Sequence, residues 1–70
     1  MKFGEFINSI KECEEIKSMY IVVHENGAEM FAGDIEDLTE ISSYFNEAKD
    51  YPIFAVYFIN HTHTMEIDID

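Results

Sequence analysis

The dipeptide Asn26-Gly27 constrains the fold of this chain more than any other feature, because it separates two runs of strand-forming residues. Asn-Gly is the pair that best tolerates the positive φ angles of a type I′ turn, which joins the strands of a tight hairpin. We therefore predict strands at residues 19–25 and 28–32. A two-residue loop also fixes the register, pairing Glu25 with Ala28, His24 with Glu29, Val23 with Met30 and Val22 with Phe31.

Helices are predicted on both sides of this hairpin. At about 100° per residue, an apolar stripe runs along residues 2–17; it consists of Phe3, Phe6, Ile10 and Cys13, all expected to be buried, flanked by Ile7 and Ile16. Asp34 is a good N-cap for a second helix over residues 34–48. The buried stripe of that helix consists of Leu38, Ile41, Phe45 and Ala48.

A second hairpin is predicted near the end of the sequence. Residues 53–59 are apolar at every position, whereas residues 65–70 alternate between apolar and acidic side chains, as a half-buried edge strand does. The predicted fold class is therefore α+β, with one domain over residues 1–70. It is a four-stranded antiparallel sheet in the order α-β-β-α-β-β, with helices packed on it.

The apolar run of residues 53–59 has a further consequence for the sheet. A strand that is apolar on both faces needs cover on both faces. Either the two helices lie on opposite faces, or both lie on one face and a partner covers the other. Homodimerisation through this strand is the simplest version of the second arrangement.

The charge of the chain is strongly one-sided. Fifteen acids face four lysines and no arginine, which gives a formal net charge of −11 at pH 7. Three of the lysines lie within the first 17 residues, and the remainder contains eleven acids and only Lys49. Since proteins bind nucleic acids and anionic membranes through Lys and Arg, the composition argues against direct binding to either. It favours a basic protein partner.

Cysteine content and hydropathy bear on the cellular compartment. With one cysteine, Cys13, the chain has neither an intramolecular disulfide nor a zinc site of several thiolates. Its longest apolar run, residues 53–59, is far shorter than the ~20 residues that a membrane-spanning helix needs, and no signal peptide is visible. We therefore expect a cytoplasmic location.

Two groups of acidic residues are candidates for contact with a partner. In the first, Glu36, Glu40 and Glu47 would share one face of the second helix, with Tyr44 beside them on its solvent side. Glu36 and Glu40 are an i,i+4 like-charge pair that costs ~0.2–0.5 kcal/mol, so the pattern favours a basic partner. The alternative is a solvated face that serves solubility.

The second group lies on the final strand. Glu66, Asp68 and Asp70 point the same way at a spacing of about 6.8 Å, which is similar to that of successive phosphates on a nucleic-acid strand. If Glu29 shares that face, two strands present rows of charge suited to a groove built for DNA or RNA. The alternative is the wet side of an amphipathic edge strand, whose charges prevent aggregation.

Catalysis and metal binding find little support in the sequence. The three glycines are scattered, so there is no Gly-rich phosphate loop. His61 and His63 are two residues apart, but they lie in a predicted turn without the three or four converging ligands of a metal site. His24 is expected to pair with Glu29. We predict no catalytic, cofactor-binding or metal-ligating residue.

Part of the sequence resembles short phage and mobile-element proteins of unassigned function. The similarity lies in VHENGAEMFAGD at residues 23–34, in Asp37-Leu38, and in the alternating MEIDI at residues 65–69. In size and charge the chain is also similar to phage anti-CRISPR inhibitors, several of which mimic nucleic acids. The resemblance implies an inhibitor and assigns no functional residues.

These observations predict a small acidic inhibitor, not an enzyme, that occupies the basic nucleic-acid groove of a defence or DNA-processing protein. Its predicted partner-binding residues are Glu29, Glu36, Glu40, Tyr44, Glu47, Glu66, Asp68 and Asp70. The alternative is a structural or regulatory module that self-associates through strand 53–59 and whose acids serve only solubility.

Overall fold

The computed structural model describes residues 1–70 and contains one four-stranded sheet with short helices, which confirms the predicted α+β class. The elements, in chain order, are α1 (Phe3–Ile10), α2 (Glu14–Lys17), β1 (Tyr20–Glu25), β2 (Ala28–Gly33), a π-helical turn (Asp37–Ile41), α3 (Tyr44–Ala48), β3 (Ile53–Ile59), a 3₁₀ turn (Asn60–Thr62) and β4 (Thr64–Ile69). None of the helices is both long and apolar enough to cross a membrane.

The sheet is mixed and each predicted helix is divided, so the predictions of a purely antiparallel sheet and of the element order α-β-β-α-β-β are both wrong. Its strands lie in the order β2-β1-β4-β3. Each hairpin is antiparallel, but β1 and β4 join the two hairpins as a parallel pair. β4, predicted to be an edge strand, is therefore central, and β3 is at the edge. The central position gives β4 a neighbour on each side and buries its apolar residues, with Met65 and Ile67 at 0% exposure and Ile69 at 2%.

The first hairpin is confirmed in its turn and in half of its register. Asn26 and Gly27 have φ angles of 52° and 85°, as a type I′ turn requires. The pairs nearest the turn are as predicted, but a bulge after them makes Phe31, and not Met30, the partner of Val23. The extra residue directs Phe31 towards the core and leaves Met30 46% exposed.

The predicted helix over residues 2–17 is divided into α1 and α2 by a turn. A continuous helix would direct the charged side chains of Glu14 and Lys17 along its apolar stripe. The turn leaves both exposed while Ile16 still packs against the core. Cys13 precedes α2 and is exposed, so the prediction that it is buried is wrong.

The second predicted helix is also interrupted. Asp34 does cap its start, since Oδ1 of Asp34 accepts a 2.8 Å hydrogen bond from the backbone N–H of Asp37. A π-helical turn follows, and Ser42 then adopts an extended conformation with ψ of 134°. This change of helical phase turns Ile41 outwards to 75% exposure, against prediction, and brings Tyr44 inwards at 9% exposure.

All of the helices contribute to one core on one face of the sheet. The core contains twelve buried residues: Phe3, Ile7, Met19, Ile21, Val23, Ile35, Leu38, Tyr44, Ala48, Met65, Ile67 and Ile69. On β1 and β4 only odd-numbered residues are buried, so the opposite face is not covered. Of the two arrangements predicted from residues 53–59, the structure has both helical regions on the same face.

Candidate functional site: the open face of the sheet

The face of the sheet opposite the helices, called the open face below, carries the polar side chains of the two central strands. Even-numbered residues of β1 and β4 point to it, because successive side chains alternate between faces. His24 belongs to β1, and Glu66 and Asp68 belong to β4; their side chains are 25%, 33% and 32% exposed. Glu29 lies directly opposite His24 in the register of β1 and β2, so it shares this face.

His24, Glu66 and Asp68 form a compact triad. Nδ1 of His24 lies 3.4 Å from Oε1 of Glu66 and 3.6 Å from Oδ1 of Asp68. The parallel register produces this arrangement, since His24 is opposite Asp68 and Val22 is opposite Glu66. One imidazole nitrogen is therefore shared by two carboxylates, which come from positions two residues apart on the neighbouring strand.

The prediction that His24 pairs with Glu29 is correct for the strand register, but Glu29 is not the acid closest to the imidazole. The two residues face each other across the hairpin, but the carboxylates that lie within 4.0 Å of the imidazole belong to β4. Sequence reasoning missed this because a turn motif identifies antiparallel neighbours, whereas parallel strands are joined by long connections without a local signal. The alternation of residues 65–70 located the two acids but not their histidine.

An open cavity of about 530 Å³ adjoins the triad. The Asn26-Gly27 turn, Phe54 and Asp70 line it together with the three triad residues. Asp70, the last residue, is exposed, and its backbone N–H donates a 3.2 Å hydrogen bond to the carbonyl of Pro52. The cavity therefore combines acidic side chains with two apolar residues, Phe54 and Ile69.

The edge strand β3 gives the sheet an apolar border. Phe54, Tyr57 and Phe58 are 81%, 51% and 56% exposed. Beyond the bridge between Lys2 and Pro52 at its start, this edge pairs with no other strand. Exposed edges usually carry charges that prevent further pairing, yet residues 53–59 contain none. The border is therefore suited to contact with another molecule.

The three acids predicted to form a ridge belong to the elements that cover the other face. The break before α3 separates Glu36 and Glu40 from Glu47, so no single helical face carries all three. Glu36 and Glu40 also line a depression with Lys11 and Lys17. By contrast, none of the four strands contains a lysine. The acids of the open face therefore have fewer cations nearby than those of the helical side.

The prediction that Tyr44 faces solvent is wrong. Its hydroxyl donates a 2.8 Å hydrogen bond to Oε1 of Glu25, and its ring is buried in the core. Burial raises the pKa of Tyr44 above its ordinary value, and the hydrogen bond and negative charge of Glu25 raise it further. Tyr44 thus holds α3 against β1 and does not belong to an exposed binding surface.

The other two histidines lie apart from the triad. His61 is exposed in the 3₁₀ turn. His63 follows that turn with a φ of 52°, and its Nε2 lies 2.9 Å from Oγ of Ser18. The histidine that lies beside acidic side chains is therefore His24, and not His61 or His63, the pair that stands out in the sequence.

Of the eight predicted partner-binding residues, four lie on or beside the open face, three lie on the helical side and one is in the core. The first four are Glu29, Glu66, Asp68 and Asp70; the next three are Glu36, Glu40 and Glu47; the residue in the core is Tyr44.

No protein-family model, curated protein or solved structure matches the chain.

Proposed function

We propose that this chain is a small acidic inhibitor that binds a basic, nucleic-acid-binding protein through its open face. It would act by occupying the nucleic-acid groove of that protein, not by catalysis. The observation that supports this most is the uneven distribution of charge. Glu29, Glu66 and Asp68 stand on an uncovered face, and no strand carries a lysine. A surface of this kind is complementary to a cluster of Lys and Arg side chains.

The arrangement of the acids fits such a partner in detail. Glu66 and Asp68 project from one strand, and Glu29 lies two strands away, about 10 Å across the sheet at ~4.8 Å per strand. Carboxylates at these spacings accept charge-assisted hydrogen bonds from several basic side chains at once. The aromatic border adds apolar contact, which commonly supplies a large part of interface energy. Long-range attraction would accelerate association and make it sensitive to salt.

The test begins with the tagged chain as bait at low ionic strength, about 50 mM. Any captured protein is then identified, purified and assayed for binding in the presence of a DNA or RNA oligonucleotide. The proposal predicts that the oligonucleotide and the chain compete, and that affinity falls steeply as salt rises towards about 500 mM. Binding that ignores both the oligonucleotide and the salt would rule it out.

Two variants with the same change in charge decide which surface is used. Glu29→Gln/Glu66→Gln/Asp68→Asn removes three charges from the open face, and Glu36→Gln/Glu40→Gln/Glu47→Gln removes three from the helical side. We expect the first to abolish competition and the second to retain most of it. Equal loss in both variants would show that net charge alone matters.

A second candidate function, self-association, is favoured by the uncharged border on β3. Pairing of two β3 edges would extend the sheet across a dimer and cover Phe54 and Phe58, although each copy brings a net charge of −11. Sedimentation separates the candidates. A dimer that becomes a monomer in Phe54→Asp/Phe58→Asp supports self-association, and a monomer at every concentration excludes it.

A further inference from the structure

We propose that His24, Glu66 and Asp68 bind a divalent transition-metal ion of the zinc class. One imidazole and two carboxylates supply the ligand types that such ions accept. The metal site shares Glu66 and Asp68 with the surface proposed above for a basic partner, so a bound ion would reduce the negative charge of the open face. It needs no partner to form, because all three ligands come from this chain.

The separations of the three side-chain atoms suit ligands of a common ion. The distances of 3.4 and 3.6 Å from Nδ1 of His24 to the two carboxylate oxygens exceed the ~2.7–3.2 Å of an N–H···O hydrogen bond. Two ligands that lie about 2.0–2.1 Å from a tetrahedral zinc ion are about 3.3–3.4 Å apart. All three atoms lie within 4.8 Å of one another, so side-chain rotation alone can bring them to one ion.

The backbone that carries these side chains is held on both sides. β1 and β4 are the two central strands, and the residues flanking the triad are core residues. Val23, Met65 and Ile67 are each 0% exposed. Ligands that project from such anchored positions are better placed than ligands on loops. This is the main difference from His61 and His63, which lie in or beside a turn.

Electrostatics and ligand type limit the class of ion. Two carboxylates held this close repel each other, and a divalent cation relieves that repulsion. Mg²⁺ and Ca²⁺ prefer sites made of oxygen ligands, whereas the imidazole nitrogen favours zinc and its neighbours in the first transition row. Three protein ligands leave a coordination position for water beside the cavity of about 530 Å³.

The test is calorimetric titration of the metal-free chain with Zn²⁺, repeated with Mg²⁺ and Ca²⁺. We expect one zinc ion per chain and no comparable site for the other two ions. Loss of a second-shell partner typically weakens metal binding by ~10–100-fold, so removal of a ligand in His24→Ala should weaken it by at least ~100-fold. His61→Ala is the matched control, and it should bind zinc as the wild type does.

Two outcomes would overturn the site. Equal zinc affinity in His24→Ala and the wild type would mean that zinc associates with the acidic surface as a whole. If His61→Ala lost as much zinc affinity as His24→Ala, the histidine ligand would not be specific to the triad. Glu66→Gln and Asp68→Asn keep the shape of each side chain, so they preserve the test if His24→Ala does not fold. Zinc should also raise the Tm of the wild type, and it should not raise that of Glu66→Gln/Asp68→Asn.

Discussion

The two faces of strands β1 and β4 differ in both burial and charge. The covered face presents Ile21, Val23 and Ile67, all at 0% exposure. The open face presents His24, Glu66 and Asp68, which remain partly exposed; the imidazole of His24 lies within 4.0 Å of both carboxylates. Because side chains alternate along a strand, residues adjacent in sequence lie in the core on one face and at the surface proposed for a partner on the other.

The difference between the faces is tested most sharply at two consecutive residues. Ile67→Ala should cost ~2–5 kcal/mol in the free energy of unfolding, because it leaves a cavity in the core. Glu66→Ala, one position earlier on the partly exposed open face, should change it by no more than ~1 kcal/mol. Chemical denaturation measures both. If Ile67→Ala does not fold, Ile67→Val should still cost ~0.5–1.5 kcal/mol, and similar costs at positions 66 and 67 would contradict the assignment of faces.

The covered side also depends on a close approach of α1 to the end of α3. A Cβ atom at Gly4 would lie 2.9 Å from Cβ and 3.0 Å from the carbonyl oxygen of Lys49. We expect Gly4→Ala to destabilise the fold by ~1–3 kcal/mol through overpacking, although helix propensity alone would favour Ala by ~1 kcal/mol. Asn8→Ala, at an exposed position of α1, is the control and should be neutral or stabilising. A more stable Gly4→Ala would disprove the close contact.

Tyr44 is a polar side chain on the covered side of the sheet, where its hydroxyl donates a hydrogen bond to Glu25. Tyr44→Phe should cost about 1–2 kcal/mol, since it removes the hydrogen bond to Glu25. The pKa of Tyr44 is raised in the folded chain, so the unfolded chain loses this proton first, near pH 10. Stability should therefore decrease as pH rises above about 10. The decrease should be smaller in Tyr44→Phe, and an equal slope in both proteins would argue against the contact.

The smallest effect is expected at the border of the sheet. Phe54 is 81% exposed, so Phe54→Asp should change the free energy of unfolding by no more than ~0.5 kcal/mol. Thermal or chemical denaturation of the variant measures this. A cost above ~2 kcal/mol would show that Phe54 belongs to the core and not to the border.

Three local signals in the sequence predicted the structure around them correctly, although the two helices predicted from periodicity are each interrupted. Asn26-Gly27 identified a turn and the two pairs beside it, and Asp34 identified a helix start. The alternation of residues 65–70 assigned each side chain of β4 to the correct face. Each of these features depends on neighbours a few residues away, where backbone geometry and side-chain chemistry are enough.

The remaining features depend on contacts that no short segment specifies. The parallel pairing of β1 with β4, which brings His24 to Glu66 and Asp68, joins parts of the chain more than forty residues apart. Ile41 points outwards and Tyr44 points inwards because a π-helical turn and a break at Ser42 lie between the two parts of the predicted helix. The regular α-helical period of 3.6 residues per turn does not continue across them. The candidate site was therefore only half visible in the sequence.

We propose that the open face, and not the helical side, binds a basic partner. An NMR titration of the ¹⁵N-labelled chain with a short lysine- and arginine-rich peptide at low salt distinguishes the two surfaces. We predict amide shifts concentrated at Val22, His24, Glu66 and Asp68 that disappear at high salt. Shifts concentrated instead at Glu36, Glu40 and Glu47, with β1 and β4 unchanged, would contradict it.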